Sequence, residues 1–245
     1  MSEPDLSSIT PVAQDYLKVI WSATEWGDPP ITTGALAARF GTSAPAVSDT
    51  LRRLAGQGLL VYEPYRPVRL SGTGERLAVA MVRRHRLLET FLAQVLGYAW
   101  DEVHDEAERL EHAVSEAFLQ RIDALLGHPT HDPHGDVIPA AGSAATPGLA
   151  RLLSQVGPGR WRVVRVSDAD PAALARLSAA GVRPGAEVDA AGLLADGSLH
   201  PDDLAAVRVS APGAGVESSS RAAAPDGSMA EDAPARRRRE RRRAT

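Results

Sequence analysis

The sequence predicts a mainly α-helical chain with a small β component. Its expected parts are an N-terminal winged helix-turn-helix, a central helical hairpin and a small β-rich C-terminal domain. Three observations predict this. Two short apolar-periodic segments are joined by Gly41-Thr42-Ser43 and followed directly by a strand–turn–strand pattern. Two long segments with helical spacing then meet at Gly97. The remaining apolar runs, near 162–166, 187–188 and 206–209, are short and β-branched, with one helical stretch among them.

Each element has a local reason. Residues 10–25 read as a helix, with Thr10 as cap, Pro11 at the first position, and Val12, Tyr16, Val19, Ile20 and Ala23 at helical spacing. Trp26-Gly27-Asp28-Pro29-Pro30 ends it. Residues 33–40 form a short helix carrying Leu36 and Phe40. A second, 44–57, places Val47, Leu51 and Leu54 on one side, and Gly58 stops it. Leu59 to Glu63 and Val68 to Leu70 are strands around Pro64-Tyr65-Arg66-Pro67, which makes a wing. Residues 74–96 and 101–126 read as two long helices. Residues 127–158, rich in Pro, Gly, His and Ala, read as a linker. Arg162 to Val166, a helix over Pro171–Ala180, Glu187-Val188 and Ala206 to Val209 suit a small β domain. Residues 211–245, Ala/Gly/Pro/Ser-rich and then Arg-rich, are expected to be disordered.

Composition narrows the function. The chain has 245 residues, is 44% hydrophobic and 24% charged, and can bury more than one core. The lack of cysteine excludes disulfides, Cys-ligated zinc, iron–sulfur clusters and a Cys nucleophile. The acidic start Met1-Ser2-Glu3-Pro4-Asp5 is unlike a signal peptide, and no apolar run approaches the roughly 18 residues of a membrane span, so a soluble cytoplasmic protein is expected. A net charge of -4 argues against one large basic face but permits a local basic element. No nucleophile–base set or phosphate-binding glycine loop is present, so an enzyme acting on a small organic substrate is not expected.

Charge is uneven. Between Asp101 and Asp136, ten carboxylates face only Arg109 and Arg121. His85 and Glu89 are i, i+4 on the first long helix; His104, Glu108, Glu111 and His112 fall on one stripe of the second. Stripes that face a core hold Leu or Val. Imidazoles and carboxylates there need partners, and a divalent cation is the natural one. A solvated acidic face docking a protein, with no metal, is the alternative. Carboxylate di-metal enzymes need ligands from four helices, and only two such helices are found here.

If the winged helix-turn-helix binds DNA, the start of helix 44–57 enters the major groove. Thr42, Ser43, Pro45, Ala46, Ser48 and Asp49 are then nearest the bases, while Arg52, Arg53, Arg66 and Arg69 suit phosphates.

Tyr16-Leu17-Lys18-Val19-Ile20, the winged helix-turn-helix, Arg84-His85-Arg86-Leu87-Leu88-Glu89, the run Val103–His112 and Asp132–Pro139 together resemble the diphtheria toxin repressor family of metal-dependent repressors. The resemblance covers about residues 8–190. It implies a DNA-binding domain at 8–74, a helical dimerisation and metal domain at 75–140, a linker at 141–158, an SH3-like domain at 159–210 and an appended tail at 211–245. It implies a homodimer on a palindromic DNA operator.

It also implies two metal sites. The primary set is Asp15, Glu108, Glu111 and His112. The ancillary set is His85, Glu89 and His104, with Asp170 from the C-terminal domain; a second position there is Ala173, which cannot ligate. Iron-type members carry sulfur at two primary positions where this chain has carboxylates. Oxygen-rich donors favour Mn(II), with Fe(II) as the alternative. Some manganese regulators carry a further Glu where this chain has Lys18, so separate sites rather than one fused cluster are expected.

Overall fold

The computed structural model describes residues 5–63, 66–140, 150–195 and 197–212. The turn residues 64–65 of the wing, residues 141–149 of the expected linker and nearly all of the expected tail lie outside the described residues.

The first part is built on α1 (Pro11–Ser22), α2 (Thr33–Arg39) and α3 (Ala44–Gly56). Thr10, Thr32 and Ser43 cap them by accepting from the amides of Ala13, Ala35 and Ala46. The wing is a minimal pair, β1 (Leu60–Val61) against β2 (Arg69–Leu70), antiparallel. Leu17, Leu36, Leu51, Leu54 and Met81 are fully buried at the centre of this part.

Met81 comes from α4 (Gly72–Gln94), whose 23 residues extend about 34 Å at 1.5 Å per residue. Its first half closes the head's core. Its second half, Leu88 and Leu92, packs on α5 (Val103–Leu110) and α6 (Glu116–Leu125). His85 and Glu89 therefore sit where the two cores meet. At Gly74 an added Cβ would lie 2.0 Å from the carbonyl oxygen of Leu59, so α4 crosses the wing at the closest approach a backbone permits.

One expected helix is broken. Residues 103–125 form α5 and α6 with a turn at 111–115; the first helix ends at Leu110, and Ser115 starts the second by accepting from Phe118 N. Glu111 and His112 consequently leave the helical stripe and occupy the turn.

The C-terminal domain is a four-stranded antiparallel sheet in the order β3-β6-β4-β5, formed by β3 (Arg151–Leu152), β4 (Trp161–Val166), β5 (Glu187–Val188) and β6 (Val207–Ser210). Leu174 and Leu177 of α7 (Pro171–Ala179) cover Val163, Val166, Val207 and Val209. A short α8 (Ala190–Leu194) follows β5. Strand β3 is a correction: the expected linker supplies the edge strand, which pairs Arg151 with Val209. The overall class, mainly helical with a small antiparallel sheet, is as the sequence predicts. Among the described residues no helix is long and apolar enough to cross a membrane.

Candidate metal centre

Helix α1 and the turn after α5 bring together a first group of donors, Asp15, Glu111 and His112, whose ligand atoms lie within 4.8 Å of one another. His112 Nε2 is 2.9 Å from Asp15 Oδ1 and 3.6 Å from Glu111 Oε1. The other ring nitrogen, Nδ1, is 2.8 Å from Gln14 Oε1. Gln14 is buried, and its amide nitrogen donates to the carbonyls of Leu6 and Ile9 at 2.8 and 3.3 Å. Its oxygen can then only accept from His112. That puts a ring proton on Nδ1 and makes Nε2, which faces Asp15, the nitrogen able to ligate a metal. Gln14→Leu is expected to weaken Mn(II) binding at this group by roughly 10- to 100-fold. Equilibrium dialysis measures it; an unchanged affinity would mean that Gln14 does not orient the ring.

Lys18, one turn along α1 from Asp15, is buried and donates to Glu111 Oε1 at 2.6 Å, with Glu108 Oε1 at 3.6 Å. Burial raises the Asp15 pKa against the opposing charges of His112 and Lys18. Burial pushes Glu111 the same way, but His85 and Lys18 outweigh it and the pKa is lowered. Glu108 departs from its expected place. It stands outside the first group, with Oε1 3.3 Å from Arg39 Nη2 and 3.4 Å from His104 Nε2. The hydrogen bond to His104 holds its pKa down to about 2, against burial.

A second group is His85, Glu89, His104 and Asp168. Glu89 Oε1 is 2.9 Å from His85 Nε2 and 3.2 Å from His104 Nδ1, which in turn is 2.8 Å from Asp168 Oδ2. The remaining nitrogen of His85, Nδ1, is 2.7 Å from Glu111 Oε2. Glu89 also belongs to a third group with Asp132 and His134, all three buried. Nδ1 of His134 is 3.9 Å from Glu89 Oε2, too far for a hydrogen bond, and has no bonded partner among the described residues.

These groups demand positive charge. Burial opposes it on His104, yet Asp168, Glu108 and Glu89 push its pKa up to about 12. Burial likewise loses to Glu89 at His134, where the pKa rises to about 10. Burial and the neighbouring Asp136 and Glu89 raise Asp132 to about 8. Donors of nitrogen and oxygen alone, one imidazole nitrogen left orphaned, and carboxylates crowded against one another fit a divalent cation.

Residues 8–68 match the iron-dependent repressor N-terminal DNA-binding domain, and residues 71–140 match the iron-dependent repressor metal-binding and dimerisation domain. The diphtheria toxin repressor of Corynebacterium jeikeium strain K411 is 32% identical over 198 residues, which is 71% of this chain and 82% of that one. The chain belongs to the iron-dependent repressor family. The iron-dependent repressor IdeR of Mycobacterium leprae is 35% identical over 153 residues, 60% of this chain; the match spans only 66% of the mycobacterial protein. A solved structure described as a manganese-dependent transcriptional repressor complex with manganese is 43% identical, with a TM-score of 0.71, covering 81% of this chain and 99% of that one. Iron-named and manganese-named relatives thus stand side by side. The family is one of DNA-binding repressors rather than enzymes.

Within this family framework one expected residue is replaced. Asp170 does not reach the donors. Its carboxylate caps α7, accepting from Ala172 N and Ala173 N at 2.9 and 3.2 Å. Asp168, two residues earlier, meets His104 instead. Asp170-Pro171 is an N-cap signature, and a capping carboxylate is already used. Asp132 and His134 are also donors to which the sequence alone assigns no role, and His134 is the less expected of the two. It lies in the loop Asp132-Pro133-His134-Gly135-Asp136, where Asp132 Oδ1 accepts from the amides of His134 and Asp136. That Asp-x-x-Gly turn chemistry was the available signal.

At the start of α3, Thr42, Ser43, Pro45, Ala46 and Asp49 are exposed and Ser48 is half-buried. Ser43 Oγ is used as the cap of α3, and Asp49 pairs with Arg52. Arg53, Arg66 and Arg69 are exposed, and Arg52 and Arg66 line one groove between α3 and the wing.

Proposed function

We propose that this chain is a Mn(II)-dependent transcriptional repressor, acting as a homodimer on a palindromic operator and controlling manganese homeostasis genes. One observation carries the reading: Asp15, on the first helix of the DNA-binding head, meets Glu111 and His112 of the dimerisation part within 4.8 Å. Asp15, Glu111 and His112 would hold one ion, and His85, Glu89, His104 and Asp168 a second, with Asp132 and His134 adjoining through Glu89. A bound divalent cation supplies positive charge that neutralises these carboxylates and bonds that tie the head to the dimerisation part.

The chain's own residues do the rest. Gln14 orients His112. Lys18 engages Glu111 with an ammonium, which suits separate sites over a fused cluster. Arg39, in the last turn of α2, ties the helix-turn-helix to Glu108 and His104. With the head fixed, the exposed start of α3 suits the major groove, and the wing and α3 arginines suit phosphates. Two-fold symmetry of a dimer pairs two such heads with half-sites about one turn, roughly 34 Å, apart. The donors contain no sulfur, and hard oxygen with imidazole favours Mn(II), the weakest binder of the first-row series. Fe(II) is the second reading, favoured by the iron-named relatives.

Selection of random duplex DNA by the full chain, in parallel with Mn(II), anaerobic Fe(II) and chelator, tests this. Enrichment of a palindrome with Mn(II) and not in chelator is expected. Enrichment only with Fe(II) would overturn the hard-donor argument, and equal enrichment in chelator would overturn metal dependence.

A further inference from the structure

The C-terminal sheet touches the DNA-binding head at Trp26, in the cleft that also holds the second donor group, through residues that belong to no donor group. Trp26, in the segment between α1 and α2, has the guanidinium of Arg165 at 5.4 Å and that of Arg208 at 5.6 Å from its ring centre. The two arginines are register partners on β4 and β6, so neighbouring strands present them side by side to one indole. The indole nitrogen donates to Asp136 Oδ1 at 2.8 Å, and Arg165 donates to the same oxygen. Arg208 donates to Asp28 Oδ2 at 2.8 Å, two residues beyond Trp26. Helix α2 starts at Thr33, so this grip falls on the chain as it enters the helix-turn-helix.

The same strand leads to the second donor group. Asp168 is three residues after Arg165, and the path between them is held to β6 and its approach: Val166 pairs with Val207, and Ser167 N donates to Ala206 O at 2.7 Å. Ordering Asp168 against His104 therefore orders Arg165 against Trp26.

We infer that Trp26, Arg165 and Arg208 are positioning residues for DNA recognition, through which the His85–Glu89–His104–Asp168 group sets the orientation of the helix-turn-helix. This rests on the metal-dependent reading above and adds to it a route for the second group, which has no ligand on the head itself. Cation–π pairs and charge-assisted hydrogen bonds in a half-buried setting suit such a role, since both reward one fixed geometry.

The test is amide hydrogen exchange over residues 29–57 in the full chain, with Mn(II) alone and with chelator, alongside a count of bound Mn(II) by dialysis. In the wild type, Mn(II) is expected to slow exchange. Trp26→Ala is expected to cut that Mn(II)-dependent slowing by about five-fold or more while the number of bound ions stays the same. Asp168→Ala should cut it similarly, and the double variant no further, because both act through one path. Arg208→Gln, which spares the indole, should reproduce the loss if Trp26→Ala proves poorly folded by circular dichroism. Full Mn(II)-dependent slowing in Trp26→Ala or in Arg208→Gln, or losses that multiply in the double variant, would overturn the inference. Absence of any Mn(II) effect in the wild type is a separate result that would overturn the metal reading, and this inference with it.

Discussion

Asp15→Ala is expected to abolish Mn(II)-dependent DNA binding while leaving the dimer intact. Asp15 is the one carboxylate of the head that enters the first donor group, and its partner His112 already has its Nε2 aimed at it at 2.9 Å. Removing the carboxylate leaves a metal held by Glu111 and His112 with no carboxylate ligand from the head. The linkage between metal and DNA, about 5- to 150-fold in affinity for typical couplings, should fall to near unity. Anisotropy titrations of the selected duplex with and without Mn(II) read this directly, and sedimentation reads the dimer. The head retains Lys18 against Glu111 and the doubly hydrogen-bonded Arg86–Glu25 pair, so folding should survive. A variant that still responds fully to Mn(II) would mean that the first donor group is not the route by which metal sets the head.

Gly135→Ala should be the most destabilising single-methyl change in the donor loops. Gly135 has φ +89°, and a Cβ there would lie 2.0 Å from Val164 O and 3.1 Å from Arg165 Cα. Backbone atoms cannot rotate away as a side chain could. The loop would have to lift from β4, breaking the hydrogen bond from Val166 N to His134 O, 2.9 Å long. An unfavourable backbone conformation together with that displacement should cost roughly 3 kcal/mol or more. Urea unfolding of the full chain measures it, and weaker Mn(II) binding at the second donor group, which shares Glu89 with this loop, should accompany it. A change below about 0.5 kcal/mol, the range of ordinary surface substitutions, would show that the loop does not need its close contact with β4.

Much of this architecture is legible in the sequence because its signals are local. Thr10-Pro11, Gly58 and the Val47, Leu51, Leu54 spacing depend on nearest neighbours, and the elements they mark lie where expected. The pairing of His85 and Glu89 follows from helical spacing alone. What was missed depends on tertiary context. Ser115 divides a segment whose apolar periodicity runs through the break, so spacing alone reads one helix where there are two. Arg151-Leu152 becomes a strand only because β6 offers it an open edge. Asp168 and Asp170 are both plausible by position, and only the cap of α7 separates them. Glu108 shares the helical stripe of His104, and Arg39, from a distant helix, draws it toward that ring instead of toward His112. His134 sits in a loop with no periodicity, and its burial arises from the docking of that loop on β4.

His85 gives the molecule a property that neither donor group has alone. Its two ring nitrogens face different groups, Nε2 toward Glu89 and Nδ1 toward Glu111. A single aromatic ring thereby conjugates the two sites, and electron density withdrawn at one nitrogen is felt at the other. Each site is part of the other's immediate surroundings. Whatever filling the first does to affinity at the second, the second does to the first in equal measure. In the proposed two-ion reading the occupancies of the two groups are therefore linked, and the binding isotherm for metal is a property of the pair rather than of two separate sites.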